Sequence, residues 1–551
     1  MSQAEFARAD WWRDAVIYQV YPRSFYASGG TGFGDLPGIT EKLPELKKLG
    51  VDAVWLSPFY TSPQNDAGYD VSDFCGVDSL FGTLADAEEL IKSGHEQELR
   101  VIVDLVPNHS SSEHEWFKKA LASPPGSPER DRYMFRDGAG DGSEPPNNWQ
   151  SVFGGPAWTQ VVEADGTPGQ WYLHLFDSSQ PDFNWENPEV WDFFDDVLRF
   201  WLDRGVDGFR IDVAHGLMKA PGLPSLSPED LADTRPDAKK PYWNQDKVHD
   251  VYRRWHRLLN EYGPDRILTA EAWVWPVESM AEYVRDDEMQ HAFNFAYLST
   301  SWQAASVKSV VDHSLRAFGA VGAPPTWVLS NHDVIRHSSR LALGALESVV
   351  PGGLGPKSSE KPDPEVAMRR GRAATAFMLG LPGSSYLYQG EELGLPEVID
   401  IPDEKREDPT FHRTHGERYG RDGCRVPIPW RKDAPAYGFS PSGESWLPQP
   451  GMFGELARDQ QDGVAGSTLE LYKTLLRVRK AEGLGRGELE WIDTESPDVL
   501  AYTNGAITVM CNFGDTPVDL PGGEVVASSA SEYANTLHPG HAVWIRSDRP
   551  E

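Results

Sequence analysis

Residues 208–216 read GFRIDVAHG. The run is apolar at Phe209, Ile211 and Val213 and charged at Arg210 and Asp212. Five residues are too few for a helix, and near-continuous apolar character is what a strand buried on both faces requires. Side chains two apart on a strand share a face, so Arg210 and Asp212 point into one interior. Runs of the same kind recur along the chain: 16–21 (VIYQVY), 52–57 (DAVWLS), 101–106 (VIVDLV), 267–272 (ILTAEA), 293–297 (FNFAY), 327–330 (WVLS) and 385–388 (SYLY). Helical patterns lie between them, for example at 44–49, 84–99, 190–203 and 248–261. Strand alternating with helix predicts parallel βαβ units, and eight such strands fit a closed (β/α)8 TIM barrel of the α/β class. An open doubly wound sheet would carry a Gly-rich phosphate turn after an early strand, and none follows Tyr21 or Ser57.

Two long segments interrupt the alternation. Residues 108–173 carry Pro and Gly clusters (SPPGSPERD, DGAGDGSEPPNNW) and are too long for an ordinary loop, so a small inserted domain is expected there. Residues 394–466 form a second irregular stretch rich in Pro, Asp and Arg. After a helical pattern at 469–482 the chain changes to short strands at 489–492, 499–503, 507–511 and 541–545, the pattern of an antiparallel β domain. The expected organisation is a barrel over 1–107 and 174–484, an inserted B domain over 108–173 and a C-terminal β domain over 485–551.

Composition narrows the partners. The 551 residues are 39% hydrophobic, enough to bury a large core, and the formal net charge is −33. Such a polyanion repels phosphate backbones and anionic lipid, so neither nucleic acid nor a membrane is expected as a partner. A homo-oligomer stays open. Three widely spaced cysteines fit no disulfide framework or metal pattern, and the N-terminal residues show no signal-peptide pattern. A cytoplasmic location follows as the expectation.

Four segments turn polar where a buried strand should end: DLVPNHS (104–110), GFRIDVAHG, LTAEAW (268–273) and LSNHD (329–333). Each puts a carboxylate at the C-terminal end of a barrel strand, the end where barrel active sites sit. Burying Asp104, Arg210, Asp212, Glu271 and Asp333 together is costly unless they are paired or functional. A single such segment could be structural; four on one rim point to a site.

These segments, with YQVYPRSF from Tyr18 and QPDFNWENP at 180–188, resemble glycoside hydrolase family thirteen, the α-amylase family, and its α-glucosidase and oligo-1,6-glucosidase branch. The resemblance spans nearly the whole chain. It implies an α-glucan-type glycosidase with the domain plan given above. It also implies Asp212 as nucleophile, Glu271 as general acid and Asp333 as the third carboxylate, with His109 and His332 bonding the first glucose. Tyr69 fits as a platform under the sugar ring, and Asp66 with Arg421 resembles the charge pair that closes the pocket in exo-acting members, although Arg425 lies close by. Asp104 and Asn108 are read as supports. Chemistry agrees with these roles: retaining hydrolysis needs an ionised carboxylate and a protonated one. Arg210, counted with the substrate-binding residues, should keep Asp212 ionised, and the apolar neighbours Ala270, Ala272 and Trp273 should raise Glu271.

The substrate expectation is a short, neutral α-glucoside cleaved from its non-reducing end. Val213 after the nucleophile argues for α-1,6 bonds, while AHG at 214–216 looks more like actinobacterial α-glucosidases, and the balance leans to α-1,4. A glucosyl-transferring enzyme of the transglucosylase or sucrose/isomaltose type is the alternative. A catalytically dead binding subunit is a third reading, disfavoured because the three carboxylates are kept. No cofactor and no metal are expected. The loop SGGTGFGDLPGI (28–39) lacks the early carboxylates of the branch's calcium loop, and HRTH (412–415) reads as a solvated loop.

Overall fold

A computed structural model describes residues 6, 8–163, 165–233, 235, 238–344, 353–530 and 535–546. The end of the expected C-terminal domain, 547–551, lies outside them. Eight strands form one parallel sheet: β1 Val16–Val20, β2 Ala53–Leu56, β3 Arg100–Leu105, β4 Gly208–Ile211, β5 Ile267–Ala270, β6 His291–Ala292, β7 Thr326–Val328 and β8 Ser384–Tyr388. Each pairs with its sequence neighbour from β1 to β6, β8 pairs with both β7 and β1, and a parallel bridge from Phe293 to Thr326 joins β6 to β7. The sheet is therefore a closed barrel. Every residue of these strands is buried, which explains their unbroken apolar reading.

The crossover helices include α1 Leu36–Leu49, α2 Leu84–Glu96, α3 Pro188–Leu202, α4 Val248–Asn260, α5 Ala304–Ala320, α6 Pro364–Leu379 and α7 Thr468–Ala481. α1 begins well before the expected 44–49. Asp35 caps it by accepting the Gly38 N–H, and Pro44 sits inside without ending it. α2 stops at Glu96, short of the expected 99. The expected strand 293–297 is corrected. Only His291–Ala292 pair as a strand, because the Asn294 side chain accepts from Tyr297 N and starts a helical turn, Phe295–Leu298. The expected strands 209–213 and 267–272 likewise end at Ile211 and Ala270, leaving Asp212 and Glu271 just beyond the barrel.

Within residues 108–173 a small antiparallel sheet joins Phe135–Arg136, Trp158–Val162 and Pro168–Leu173. Its apolar cluster of Met134, Trp149, Trp158 and Leu173 includes Leu226 and Tyr242 from the loop after β4. The inserted segment thus packs on the loop that follows GFRID. After α7 comes an antiparallel five-stranded sheet whose Trp544 and Tyr502 donate to the α6 carbonyls of Ala376 and Phe377.

Candidate active site

The barrel ladder carries on past the strand ends and fixes two carboxylates by their backbones. Asp212 N donates to Leu105 O at 2.8 Å, Glu271 N to Ile211 O at 3.0 Å and Ala214 N to Glu271 O at 2.9 Å. Val213 stands between them at φ +46, a left-handed conformation that strains a β-branched residue. That turn aims its N–H at Glu271 Oε2, 2.7 Å away.

Arg210 lies at the centre. Its Nη1 donates to Asp104 at 2.9 and 3.1 Å and to Asp212 Oδ1 at 2.7 Å, and Nη2 is 3.6 Å from Glu271 Oε2. Asp104 is fully buried and also accepts from Trp55 Nε1 and Tyr69 OH, both at 3.2 Å. One cation thus serves three carboxylates. Burial raises Asp212 to about 8, Arg210 pulls it down, and Glu271 and Asp333 push it up. Burial likewise raises Glu271 to about 7 against the pull of Arg210. The pair titrates as a unit and keeps a proton in the neutral range. Arg210 acts on Asp212 in the expected direction, toward the ionised form, and burial and the like charges of Glu271 and Asp333 act against it. Trp273 is also more than an apolar neighbour, because its Nε1 donates to Glu271 Oε1 at 2.7 Å.

Asp333 sits in the opposite setting. Its Oδ1 accepts from Arg421 Nη1 at 3.0 Å and from Arg425 Nη2 at 2.8 Å. Burial would raise its pKa, but His332 and the guanidiniums of Arg421, Arg425 and Arg210 hold it well below the usual carboxylate range. His332 is itself pushed well below the imidazole range by burial, so the lasting charge is that of the arginines. Arg421 also donates from Nη2 to Asp66 at 2.8 Å and from Nε to Asp408 at 2.6 Å. The side chains of Asp66 and Arg421 are 5% and 9% exposed, so theirs is no surface ion pair. Arg425 takes a different place, bonding His332 O from Nε at 2.8 Å.

The remaining candidates surround this centre. Tyr69 stacks on His332 with centroids 5.2 Å apart and rings 8° from parallel. His332 Nδ1 bonds Gln19 at 2.7 Å, while Nε2 lies 3.2 Å from Asp333 Oδ2 and has no hydrogen-bond partner. His109 Nε2 is 3.1 Å from Tyr69 O and its Nδ1 3.1 Å from Asn108 Nδ2; burial lowers it to about 4, leaving it neutral. Sequence reasoning missed Asp408, Gln180 and Lys219. Gln180, inside the quoted QPDFNWENP, donates to Asp66 Oδ2 at 3.1 Å. Lys219 Nζ joins Asn108, Gly216 O and Asp182 behind His109. A lysine seven residues past Asp212 was a legible signal; Asp408 had none, since nothing links it to Arg421 until the chain folds.

Among the described residues no group of three or more His, Cys, Asp and Glu is arranged to hold a metal. The Asp35 carboxylate is taken up by the N–H groups of Ser28, Gly29 and Gly38. The HRTH reading is corrected in part: Pro409–Arg413 is a short helix, and Arg413 ties it to Asp177 and Gly154 O of the inserted region. No helix of the described residues is long and apolar enough to cross a membrane.

Comparison with known proteins agrees with this architecture. Residues 19–487 match the family model for the α-amylase catalytic domain. A protein named "Probable alpha-glucosidase" from Rhizobium meliloti (strain 1021) is 37% identical over 92% of this chain and 89% of its own length. An oligo-1,6-glucosidase from Parageobacillus thermoglucosidasius is 34% identical over 92% of this chain and 91% of its own. The crystal structure of the α-glucosyl transfer enzyme XgtA superposes with a TM-score of 0.82 at 34% identity, covering 97% of this chain and 99% of the other. With its closed barrel, its carboxylates at the strand ends and these matches along nearly its whole length, the chain belongs to the α-amylase family.

Proposed function

We propose that the protein is a retaining exo-α-glucosidase acting on short neutral α-glucosides. The observation that carries this reading is the single guanidinium of Arg210 facing both Asp212 and Glu271, 2.7 and 3.6 Å away. Two carboxyl groups so placed share a proton, which is the resting state that double displacement needs. In the first step an Asp212 oxygen attacks the anomeric carbon and the glycosidic C–O bond breaks. The Glu271 proton goes to the leaving oxygen, giving a β-glucosyl ester. Water then gives a proton to Glu271 and attacks that carbon, releasing Asp212 as carboxylate. Asp333, kept ionised by Arg421 and Arg425, accepts sugar hydroxyls and steadies the positive charge that develops on the ring. The unpartnered His332 Nε2 bonds the same glucose, His109 joins it by exchanging its Nε2 contact with Tyr69 O for a sugar hydroxyl, and Tyr69 lies beneath it.

Arg421, bridging Asp66, Asp408 and Asp333, closes the far end and limits entry to one non-reducing glucose. The domain boundaries read from the sequence, a cytoplasmic location and chemistry without metal or cofactor belong to the same proposal. For linkage, a relative named oligo-1,6-glucosidase and Val213 favour α-1,6, and the AHG continuation favours α-1,4, to which the proposal leans. A glucosyl-transferring enzyme is the second reading, favoured by the similarity to XgtA.

The test is glucose release from maltose, isomaltose, nigerose, kojibiose, sucrose, trehalose and maltotetraose, with all products separated. Maltotetraose shortened one unit at a time supports the exo pocket, and internal cleavage overturns it. Trisaccharides made from concentrated maltose would favour transfer.

A further inference from the structure

Glu271 has both carboxyl oxygens engaged by N–H donors. Oε2 accepts from Val213 N at 2.7 Å and faces Arg210 Nη2 at 3.6 Å; Oε1 accepts from Trp273 Nε1 at 2.7 Å. The two grips differ in kind. Val213 N–H belongs to backbone locked by the Ala214–Glu271 bond, and it cannot turn aside. Trp273 is a side chain, yet its ring is clamped on Phe295 with centroids 3.8 Å apart and planes 3° from parallel. Phe295 is fully buried at the start of the turn capped by Asn294.

A proton on Oε2 would stand between a backbone N–H and a guanidinium. On Oε1 it meets one donor, and the hydroxyl oxygen keeps a lone pair for the indole. We infer that Trp273 is a positioning residue whose indole N–H orients Glu271 Oε1 as the oxygen that hands its proton to the leaving group. This rests on Glu271 being the general acid. Trp273 acts through Glu271, and the Phe295 clamp is what makes that action directional.

The electrostatic consequence has a definite sign. The charged groups facing Glu271 are Arg210, which favours the carboxylate, and Asp212 and Asp333, which oppose it; His215, from the loop after β4, is buried and neutral. A donor on Oε1 also favours the carboxylate. Trp273→Phe keeps an aromatic ring against Phe295, though a smaller one, and removes that donor, so Glu271 holds its proton to higher pH.

The experiment measures kcat/KM against pH for maltose and for an activated aryl α-glucoside, with the wild type, Trp273→Phe and Glu271→Gln. For Trp273→Phe the alkaline limb on maltose is expected to move up by about half a unit to one unit, the size of one lost hydrogen bond to a carboxylate. Activity on maltose at pH 6 should fall more than activity on the aryl glucoside, because misdirected protonation matters only for a poor leaving group. An unmoved limb with equal losses on both substrates would overturn the positioning role and leave Trp273 as packing. Should Trp273→Phe not fold, Phe295→Leu, which loosens the clamp and keeps the N–H, should produce the same substrate split, and equal losses there count against the inference. Equal losses for Glu271→Gln on both substrates would instead remove the acid reading itself, whatever Trp273→Phe does.

Discussion

At one end of the site a single guanidinium, Arg210, meets three carboxylates, Asp104, Asp212 and Glu271. At the other end two guanidiniums, Arg421 and Arg425, are shared among Asp333, Asp66 and Asp408. Both ends are buried, so desolvation acts on both in the same direction. The outcomes diverge because the charge balance does. With one cation for three acids, Asp212 and Glu271 rise into the neutral range. With two, Asp333 is held well below the ordinary range and Asp408 is lowered to about 2, although Asp66 is still raised by burial. In the proposed roles, the acid at Glu271 is served by less positive charge per carboxylate, one guanidinium for three, and the carboxylate that stays ionised at Asp333 by more, two for three. Both settings are built at one barrel rim.

The sharpest way to break this comparison is at Asp212. Asp212→Asn keeps the shape and removes the proposed nucleophile, and kcat on maltose should fall roughly 10⁴-fold or more with the circular dichroism spectrum unchanged. A residual rate within about 10² of wild type would mean that another carboxylate attacks. Next comes Asp333. Asp333→Asn leaves Arg421 and Arg425 without their shared partner, so kcat/KM should drop about 10³-fold and the protein should lose about 3 kcal/mol of stability. Loss of stability alone, with kcat/KM intact, would make the Arg421 end structural.

Smaller effects sharpen the contrast between the two arginine settings. Arg421→Lys keeps one charge but cannot reach Asp66, Asp408 and Asp333 at once, since a lysine has no planar fork. About a tenfold rise in KM for maltose is expected, with kcat changed little. The same substitution should affect maltotetraose no more than maltose, because in the proposed exo mode both place one glucose in the closed end. A larger effect on the longer sugar would put Arg421 on the acceptor side instead.

How much of this could be read beforehand follows the same divide. The Arg210 end is built from strand-end segments, and its residues were legible because a charge inside a short apolar run is costly without a reason. Asp212 and Glu271, and Asp333 at the other end, stood out as candidates by that argument and the barrel period, and their roles came from the family resemblance. The Arg421 end is assembled from loops far apart in sequence, so Asp408 and the role of Arg425 were not legible, nor was the choice of Arg421 over its neighbour argued from spacing. Boundaries failed where local chemistry overrode a pattern. Asn294 ended an aromatic run that looked like a strand, and Asp35 started α1 ahead of Pro44. Trp273 was read by its polarity class, and its one polar atom proved to be the part that touches Glu271.

The subtlest consequence of the charge imbalance is in stability, where the two ends should oppose each other with pH. Asp212 and Glu271 are raised in the folded protein, so between the ordinary carboxylate value and about 7–8 the native state binds more protons than the unfolded chain. Stability from these groups is therefore full below pH 4 and is lost as pH rises through 7–8. Asp333 is lowered, so its contribution is present above the ordinary carboxylate range and is lost as pH falls. Asp212→Asn removes one of the repelling charges, and should raise stability by about 1–2 kcal/mol at pH 8.5 and by nothing measurable at pH 4. In a protein of this size that is roughly 1–2 °C in Tm, within reach of paired thermal scans at the two pH values. If the gain were equal at both, the Arg210 end would be carrying no excess negative charge, and the raised acid at Glu271 would have to come from burial alone.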